Sequence, residues 1–401
     1  MNILNGVNGK VRLAVISTHP IQYYAPWFRC ITSEPNIECK VFYLWDFGVT
    51  EKIDRGFQQV FKWDISLLEG YTYEMVPNRS RNPGTHHFWG LYNPSLLERI
   101  RSYNPDAILM LGYNYASLYE FLARWDRKKA PIFLRGDSHR LVAKPGATES
   151  LRRKIIATIF KRFAAFLYVG KANYEYFRYH HVAPGKLFFS PHAVDNARFL
   201  EEAENAIKAA HTWKKELGIP HDHTVILFAG KFESKKRPLD LLEAFKKSHL
   251  DRTSLLFVGS GNLDSELRRR ALDHHNIHFA PFQNQSMMPR TYGIADLFVL
   301  PSFGPAETWG LAINEAMCMS CAVVASTHVG CSQDLVHPQV NGLIFEAGNI
   351  QALTNTLKDA CADYPRLKLW GQRSRKIIKD YNYGRATQGL ITALNRLSIK
   401  L

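Results

Sequence analysis

The chain has 401 residues, of which 46 % are hydrophobic, and its 51 lysines and arginines against 36 acids give a formal net charge of +15. This length and apolar content exclude a small disulfide-stapled scaffold and predict two domains with sizeable cores. The positive charge favours acidic partners, namely nucleic acid, an anionic membrane or a phosphate-bearing small molecule, without choosing between them.

Six cysteines are spread along the chain without the spacing of a disulfide framework, which predicts free thiols in a reducing compartment. Cys318, Cys321 and Cys331 lie close together in sequence, but they lack the familiar paired spacing of zinc sites, so we expect no metal. The amino-terminal stretch lacks the features of a signal peptide, and no run approaches the roughly 18 apolar residues that a membrane span needs. We therefore expect a cytoplasmic protein, soluble or peripheral to the membrane.

Ten short apolar runs predict strands. The first half has them at Val11–Thr18, Cys39–Trp45, Ala107–Gly112, Pro131–Gly136 and Ala165–Gly170. The second half has them at Thr224–Gly230, Ser254–Gly261, Ile277–Phe282, Ala295–Ser302 and Ala322–Ser326. Such continuous apolar runs are typical of parallel strands covered on both faces. Because helical stretches separate them, the chain is predicted to be α/β with two doubly wound, Rossmann-like domains.

A polar stretch around Glu201–Pro220 separates the two halves. We predict a first domain over residues 1–195, a second over 196–375, and a carboxy-terminal helix over 376–401 that could cross back to the first domain. Two domains of this kind usually bind their ligand between them, outside the carboxyl ends of the strands. Candidate site residues are therefore sought after strands.

Basic residues follow the first strand of the second domain. Lys231 comes directly after the strand, and Lys236 lies shortly before Pro238, which opens a helix. Cations beside a helix N-terminus suit a diphosphate, although a solvated basic loop would show the same pattern. After the next strand, Gly259 lies in a Gly-Ser-Gly turn that would let a ligand approach the backbone.

Two glutamates, Glu307 and Glu315, lie within the apolar stretch FGPAETWGLAINEAM. Buried carboxylates need partners, and pairs of sugar hydroxyls suit them well. We expect the two acids to pair with a ligand rather than with each other or with a buried cation. The alternative is one exposed loop acid and one acid on a helix surface. The neighbouring backbone N–H groups of residues 308–311 could bind phosphate or sugar hydroxyls.

These segments together resemble the motifs of retaining family-4 glycosyltransferases, which have the GT-B fold. The resemblance lies in E-x₇-E after Pro-Ser, and in GKFESKKRP, FVGSG, SPHAVDNARF and HPQVNGLIFEAGN, all in the expected order. It covers most of residues 160–385 and the general plan of the first half. The resemblance implies two Rossmann-like domains that face each other across a cleft.

The resemblance also implies a role for each candidate residue. Lys231 and Lys236 would neutralise the diphosphate of a nucleotide-sugar donor, Glu315 would bind its ribose, and Glu307 would hold the transferred sugar. Gly259 and the backbone amides of Trp309, Gly310 and Leu311 would contact phosphate or sugar. The expected reaction transfers a hexose-type sugar, most favourably from UDP, to a lipid-linked or cell-surface glycan, with retention of configuration and without a metal.

The first domain departs from the family pattern after its first strand. Members often carry a Gly-Gly loop there, whereas this chain has STHPIQYYAPWF, so His19, Gln22 and Tyr23 lie where donor or acceptor contacts are expected. For His19, a structural hydrogen bond at the strand end is an equal alternative.

The family's first domain commonly carries a histidine or carboxylate after a central strand, where this chain has LRGDSHRL. Asp137 and His139 are therefore candidates for the reaction centre, although with Arg135 they could also form a local ion network. His192 occupies the junction motif and is a weaker candidate.

The segment from Arg140 to His181 carries nine basic residues against two acids. Within it, residues 151–167 are predicted to form one amphipathic helix, which suggests docking on an anionic membrane surface. The alternative is an ordinary domain helix with its apolar face in the core. The predicted apolar face comprises Leu151, Ile155, Ile156, Ile159, Phe160, Phe163 and Phe166.

Two other function classes remain open. A nucleotide-sugar epimerase would share the fold and release products without an acceptor, whereas a phosphorylase would need a pyridoxal-binding lysine motif that we do not find. The net charge also permits a nucleic-acid-binding protein, but the sequence contains no recognition motif for one. We therefore expect no nucleic-acid partner.

Overall fold

The computed structural model of this protein describes residues 9–50, 52–54, 59–142 and 146–399. Lys144, one of the nine basic residues counted above, and the first eight residues of the amino-terminal segment lie outside these ranges. The described chain forms two α/β units, each around a parallel sheet.

The first sheet has seven parallel strands in the order β5-β2-β1-β6-β7-β8-β9. They are β1 Val11–Ser17, β2 Ile37–Tyr43, β5 Thr72–Met75, β6 Ala107–Leu111, β7 Ile132–Gly136, β8 Ala165–Tyr168 and β9 Leu187–Phe189. A separate antiparallel hairpin consists of β3 Lys52–Asp54 and β4 Gln59–Phe61. The helices of this half are α1 Ala25–Thr32, α2 Leu96–Tyr103, α3 Ala116–Arg124, α4 Ala147–Phe160 and α5 Lys171–Tyr179.

The second sheet has six parallel strands in the order β12-β11-β10-β13-β14-β15. They are β10 Thr224–Ala229, β11 Thr253–Val258, β12 Ile277–Ala280, β13 Leu297–Leu300, β14 Ala322–Ser326 and β15 Gly342–Phe345. Two helices, α6 Asn196–Glu201 and α7 Ala203–Glu216, precede it. The later helices are α8 Pro238–Ser248, α9 Asp264–Ala271, α10 Met288–Gly293, α11 Leu311–Cys318, α12 Ser332–Leu335, α13 Ile350–Cys361, α14 Tyr364–Ile377 and α15 Tyr383–Arg396.

The predicted fold class is confirmed, because each of the ten apolar runs overlaps a strand of one of two parallel sheets. In each sheet the strand order reverses beside the first strand of the unit, β1 or β10. Such a reversal opens a crevice at the carboxyl ends of the strands. The loops after β1 and β10 therefore lie at these two crevices, where proteins of this fold class bind their ligands.

Three strands of the two parallel sheets lie outside the ten predicted runs, namely β5, β9 and β15. Each lies at an outer edge of its sheet, and β9 has only three residues. The residues of β5 are exposed or half-buried, so they lack the continuous apolar run that identified the central strands.

The prediction of one helix over residues 151–167 is wrong. Helix α4 ends at Phe160, a turn follows, and Phe166 belongs to β8. Its apolar face packs mainly into the core, where Ile156 is 7 % exposed and Phe160 3 % exposed. Leu151 and Ile155 remain outside, with exposures of 63 % and 53 %. No helix in the described part of the chain is both long and apolar enough to cross a membrane.

The carboxy-terminal helix α15 packs against the first sheet. Leu390 and Leu394 belong to the same core cluster as residues of β1 and α1. Two hydrogen bonds fix the helix there: Trp27 Nε1 donates to Thr387 Oγ1 at 3.1 Å, and Ser190 Oγ donates to the carbonyl of Ala386 at 2.9 Å. The chain thus returns to its first half after the second sheet is complete.

Candidate active site

A cavity of about 600 Å³ lies between the two sheets and is lined by residues from loops at the carboxyl ends of strands in both halves. It brings together nearly all the candidate residues predicted from sequence. These are His19, Gln22, Tyr23, Asp137, His192, Lys231, Lys236, Gly259, Glu307, Trp309, Gly310, Leu311 and Glu315. Residues that are far apart along the chain meet here because parallel strands all end at the same edge of their sheet.

His139 is the exception, since it does not line this cavity. Its Nδ1 accepts a hydrogen bond from the backbone N–H of Leu141 at 3.3 Å, and its Nε2 lies 3.3 Å from the carbonyl oxygen of Glu307. Burial lowers the pKa of His139, so the ring is neutral. Because Nδ1 accepts a hydrogen bond, the proton lies on Nε2, which donates a hydrogen bond to the Glu307 carbonyl. The structure places His139 behind the loop of Glu307, where it supports that loop.

Glu307 forms an ion pair with Lys236, and Ser302 Oγ donates a hydrogen bond to the same carboxylate oxygen at 2.7 Å. The expectation that neither acid pairs with a cation is therefore wrong for Glu307. Burial by itself would raise the pKa of Glu307, but the charge of Lys236 and the two hydrogen bonds outweigh it and lower the pKa. Among the described residues, none donates a hydrogen bond to Oε1, so this oxygen can accept one from a ligand.

Glu315 is 2 % exposed and is surrounded by neutral donors. Tyr292 donates to Oε2 at 2.8 Å, whereas Tyr23 and Gln285 lie at 3.2 and 3.5 Å from Oε1. Burial raises the pKa of Glu315, and the hydrogen bonds only partly offset that effect. The two contacts to Oε1 are long and therefore weak. A ligand hydroxyl can replace them most easily by donating its own hydrogen bond to Oε1.

Asp137 faces the second half of the chain across the cleft. Thr308 Oγ1 donates to Asp137 Oδ2 at 2.7 Å, and His192 Nε2 lies 3.5 Å from the same oxygen. Burial would raise the pKa of Asp137, but His192 and Thr308 bring it down to about 2. Burial lowers the pKa of His192, so a neutral imidazole lies beside an ionised carboxylate.

The backbone at the start of α11 faces the cavity. Gly310 has φ +100, and an added Cβ would lie 2.8 Å from Val329 Cγ1, so this position strongly favours glycine. No side chain caps α11, which leaves the first N–H groups of Leu311 and Ala312 at the cleft wall. A helix N-terminus of this kind attracts anions.

A second backbone surface lies at the ends of β10 and β11. Gly259 has φ +148, and a Cβ at this position would lie 2.0 Å from the carbonyl oxygen of Gly230. The two strand ends can approach this closely only because Gly259 lacks a side chain. Lys231 and Lys236 follow on the same loop, so cations and open backbone lie together as a diphosphate would require.

His19 is held among aromatic rings. Its centroid lies 5.7 Å from that of Trp45 and 5.6 Å from that of Phe47, and its Nδ1 lies 3.0 Å from Thr18 Oγ1. Burial lowers the pKa of His19 to about 4. The ring is therefore neutral at pH 7 and can serve as a hydrogen-bond partner for an uncharged ligand group.

Sequence reasoning assigned no role to four polar side chains of the site, namely those of Gln285, Tyr292, Ser302 and Thr308. All four hydrogen-bond to one of the acids discussed above. None carries a charge. For Ser302 and Thr308 a signal existed, because both lie near Glu307 in the segment after β13. Gln285 and Tyr292 reach Glu315 only through the packing of α10 and of the turn before it.

The cysteine cluster is part of the core rather than of the site. Cys318, Cys321 and Cys331 are buried free thiols, and burial raises the pKa of each. Among the described residues, no group of three histidine, cysteine or acidic side chains has the arrangement of a metal site.

Comparison with known proteins finds one family that resembles the second half of the chain. Residues 210–377 match the family described as glycosyl transferases group 1. The chain is 26 % identical over 214 residues to the D-inositol 3-phosphate glycosyltransferase of Salinispora arenicola, which covers 49 % of this chain and 47 % of that protein. It is also 26 % identical over 187 residues to the lipopolysaccharide 1,2-N-acetylglucosaminetransferase of Salmonella typhimurium, covering 44 % and 49 %. The matches thus span about half the length of these relatives.

Solved structures resemble the chain over nearly its full length. A glycosyltransferase from Rickettsia africae superposes with a TM-score of 0.71 at 16 % identity, covering 98 % of this chain and all of that one. Anabaena Alr3699/HepE, solved with UDP and glucose, superposes with a TM-score of 0.68 at 15 % identity, covering 96 % and 99 %. At this identity the likeness establishes the fold. Residues 210–377 therefore resemble the group-1 glycosyltransferases, and the chain has the two-domain GT-B fold.

Proposed function

We propose that this protein transfers a hexose-type sugar from a nucleotide diphosphate sugar to a lipid-linked or cell-surface glycan. One observation carries the proposal: a single cleft places a cationic loop, an uncapped helix N-terminus and two buried glutamates around about 600 Å³ of space. Each of these features suits a different part of one donor molecule. UDP is our preferred nucleotide, since the similar Anabaena structure was solved with UDP.

The donor would lie along the second domain. Lys231, Lys236 and the N-terminus of α11 offer positive charge to the diphosphate. Glu315 would accept hydrogen bonds from ribose hydroxyls on Oε1, while Glu307 would do so from the transferred sugar. Because these groups are fixed by the fold before the donor arrives, they contribute mainly by orienting it and by stabilising the charge of the departing diphosphate.

The acceptor would approach from the first domain, where Asp137, His192 and His19 face the donor side. We propose same-face attack with retention of configuration, in which the leaving phosphate helps to take the acceptor proton. The proposal includes no metal, because Lys236 and the helix terminus supply the positive charge that a metal would otherwise provide. Removing divalent cations with EDTA should then leave turnover unchanged, and the anomeric proton coupling of the product should be that of the donor.

We also propose a cytoplasmic location with peripheral contact to an anionic membrane. Its support is the basic first domain together with the exposed Leu151 and Ile155 of α4. This apolar surface is smaller than the sequence suggested. Co-sedimentation with vesicles containing phosphatidylglycerol tests the contact, and equal binding to neutral vesicles would refute the role of anionic lipid.

The donor is tested by thermal stabilisation with UDP-, GDP- and ADP-sugars. A ligand that binds only the folded protein stabilises it by mass action, by about 2.7 kcal/mol at one hundred times its Kd. We expect a concentration-dependent rise in Tm with a UDP-sugar that exceeds the rise with the others. If no nucleotide sugar raises the Tm, the proposed function is wrong.

A further inference from the structure

A second cavity, of about 630 Å³, lies in the first domain away from the cleft. It is bounded by α4 and by the segment that joins α5 to β9, and it shares no lining residue with the cleft. Helices α4 and α5 follow β7 and β8 and run back towards the amino ends of the strands. Their last residues therefore lie on the side of the sheet away from the cleft, which is at the carboxyl ends. A ligand in this cavity would therefore not compete with the donor.

Four cations line the cavity: Arg153, Lys154, Lys161 and Lys186. Among the residues that the structure describes, no aspartate or glutamate lines the cavity and none of the four cations forms an ion pair. Other basic residues of this half, such as Lys40, do pair with acids. Unpaired like charges around one cavity repel each other, so their grouping favours an anionic ligand.

Helix electrostatics explains only part of this cluster. A cation at the end of a helix, such as Lys161 after α4, is stabilised by the negative end of the helix dipole. Arg153 and Lys154 lie in the middle of α4, where that effect has faded. Arg153 is instead held in place, because its Nε donates to the carbonyl of Tyr179 at 3.0 Å and its guanidinium lies 4.4 Å from the centre of the Tyr179 ring.

A buried histidine, His180, also lines the cavity, and one of its ring nitrogens has no hydrogen-bond partner among the described residues. His180 is 3 % exposed, and the nitrogen in question is its Nδ1. An unpartnered buried polar atom is costly, so a ligand or water is expected beside it. The rest of the wall is apolar and includes Phe160, Phe166 and Val182.

We propose that this cavity binds a phosphate group carried on a sugar or glycerol skeleton. The cations would hold the phosphate oxygens by charge-assisted hydrogen bonds, and the apolar wall would cover the carbon skeleton. The volume lies within the usual range for small-molecule sites and exceeds what a phosphate ion alone requires. A soluble sugar phosphate and a phospholipid headgroup share this chemistry, and the experiment below separates them.

The test compares two double variants with the same change in net charge. Lys154→Gln/Lys161→Gln alters the cavity, whereas Lys247→Gln/Lys358→Gln alters two exposed lysines of the second domain. Both are made in a Lys236→Gln background, which suppresses phosphate binding in the cleft. Calorimetry with glucose 6-phosphate at low salt reports the soluble source, and co-sedimentation with phosphatidylglycerol vesicles reports the lipid source.

We expect at least one probe to bind about tenfold more weakly to the cavity variant and unchanged to the control variant. The probe that responds identifies the source of the phosphate. If neither probe binds, or if both double variants lose binding equally, the proposal is overturned. Thermal stabilisation by a nucleotide sugar, measured on the wild-type protein with Lys236 intact, tests the cleft separately. Failure of the cavity proposal can therefore be told from failure of the proposed function.

Discussion

Glu307 and Glu315 lie in one cleft, yet the protein accommodates their burial in different ways. Glu307 meets a cation, Lys236, which keeps its carboxylate ionised. Glu315 meets only neutral donors, so burial raises its pKa. A carboxylate whose ionised form is disfavoured by burial gains most from a ligand that supplies further hydrogen bonds.

This difference predicts that Glu315→Gln stabilises the protein at neutral pH. The raised pKa means that ionised Glu315 costs stability, which the wild type recovers only as pH falls and the carboxyl is protonated. Glutamine keeps the size and can still accept from Tyr292 without ionising. Urea unfolding should give a higher midpoint for the variant at pH 7, and the gain should shrink towards about pH 4.3.

The exposed Glu216 offers a matched control for this measurement. Glu216→Gln should change the midpoint by little at either pH, within about 0.5 kcal/mol. A wild type as stable as Glu315→Gln at pH 7 would show that ionisation of Glu315 costs nothing. The same Glu315→Gln variant should bind nucleotide more weakly, so stability and binding should change in opposite directions.

At the scale of elements, the start of α11 is the most constrained part of the site. Gly310→Ala should destabilise the protein by about 1–3 kcal/mol, since alanine is strained at this φ and its Cβ would clash with Val329. The displaced helix terminus should also bind the donor less well. Urea unfolding measures the first effect and calorimetry with the donor measures the second.

Gly185 provides the comparison, because nothing lies within 4 Å of a Cβ added there and its φ is outside the left-handed region. Gly185→Ala should be nearly neutral in both measurements. Equal stability of Gly310→Ala and wild type would mean that the backbone at this turn can relax without cost.

Apolar runs predicted the central strands well because a parallel strand is buried on both faces and reads as one continuous run. The same criterion failed at α4, where Phe163 and Phe166 continue the apolar spacing through a turn and into β8. Periodicity records which residues are buried and does not record where the backbone changes direction. Edge strands such as β5 are too exposed to give a signal.

At the scale of the whole molecule, the site was predictable where charged residues follow strands, as for Lys231, Lys236, Glu307 and Glu315. The contacts between residues of the two domains were not predictable. Tyr23 reaches Glu315 across 292 positions of sequence, and Thr308 reaches Asp137 across 171. Such contacts depend on how the two sheets face each other, and no local pattern encodes that.

Helix α15 connects the end of the chain to the first sheet, so its loss should destabilise the first domain. Leu390 is fully buried there. Leu390→Ala should lower the free energy of unfolding by about 2–5 kcal/mol, as truncations in well-packed cores do. Leu272→Ala, at a position 79 % exposed, should have almost no effect. If the two variants unfold alike in urea, α15 is not packed as described.

We propose that the two glutamates hold different parts of one donor. Calorimetry with UDP and with the UDP-sugar, combined with turnover, tests it on Glu315→Ala and Glu307→Ala. We expect Glu315→Ala to weaken binding of both ligands by about tenfold or more, as loss of charge-assisted hydrogen bonds implies. Glu307→Ala should leave UDP affinity nearly unchanged and reduce turnover more strongly. Full binding and full activity in both variants would contradict the account.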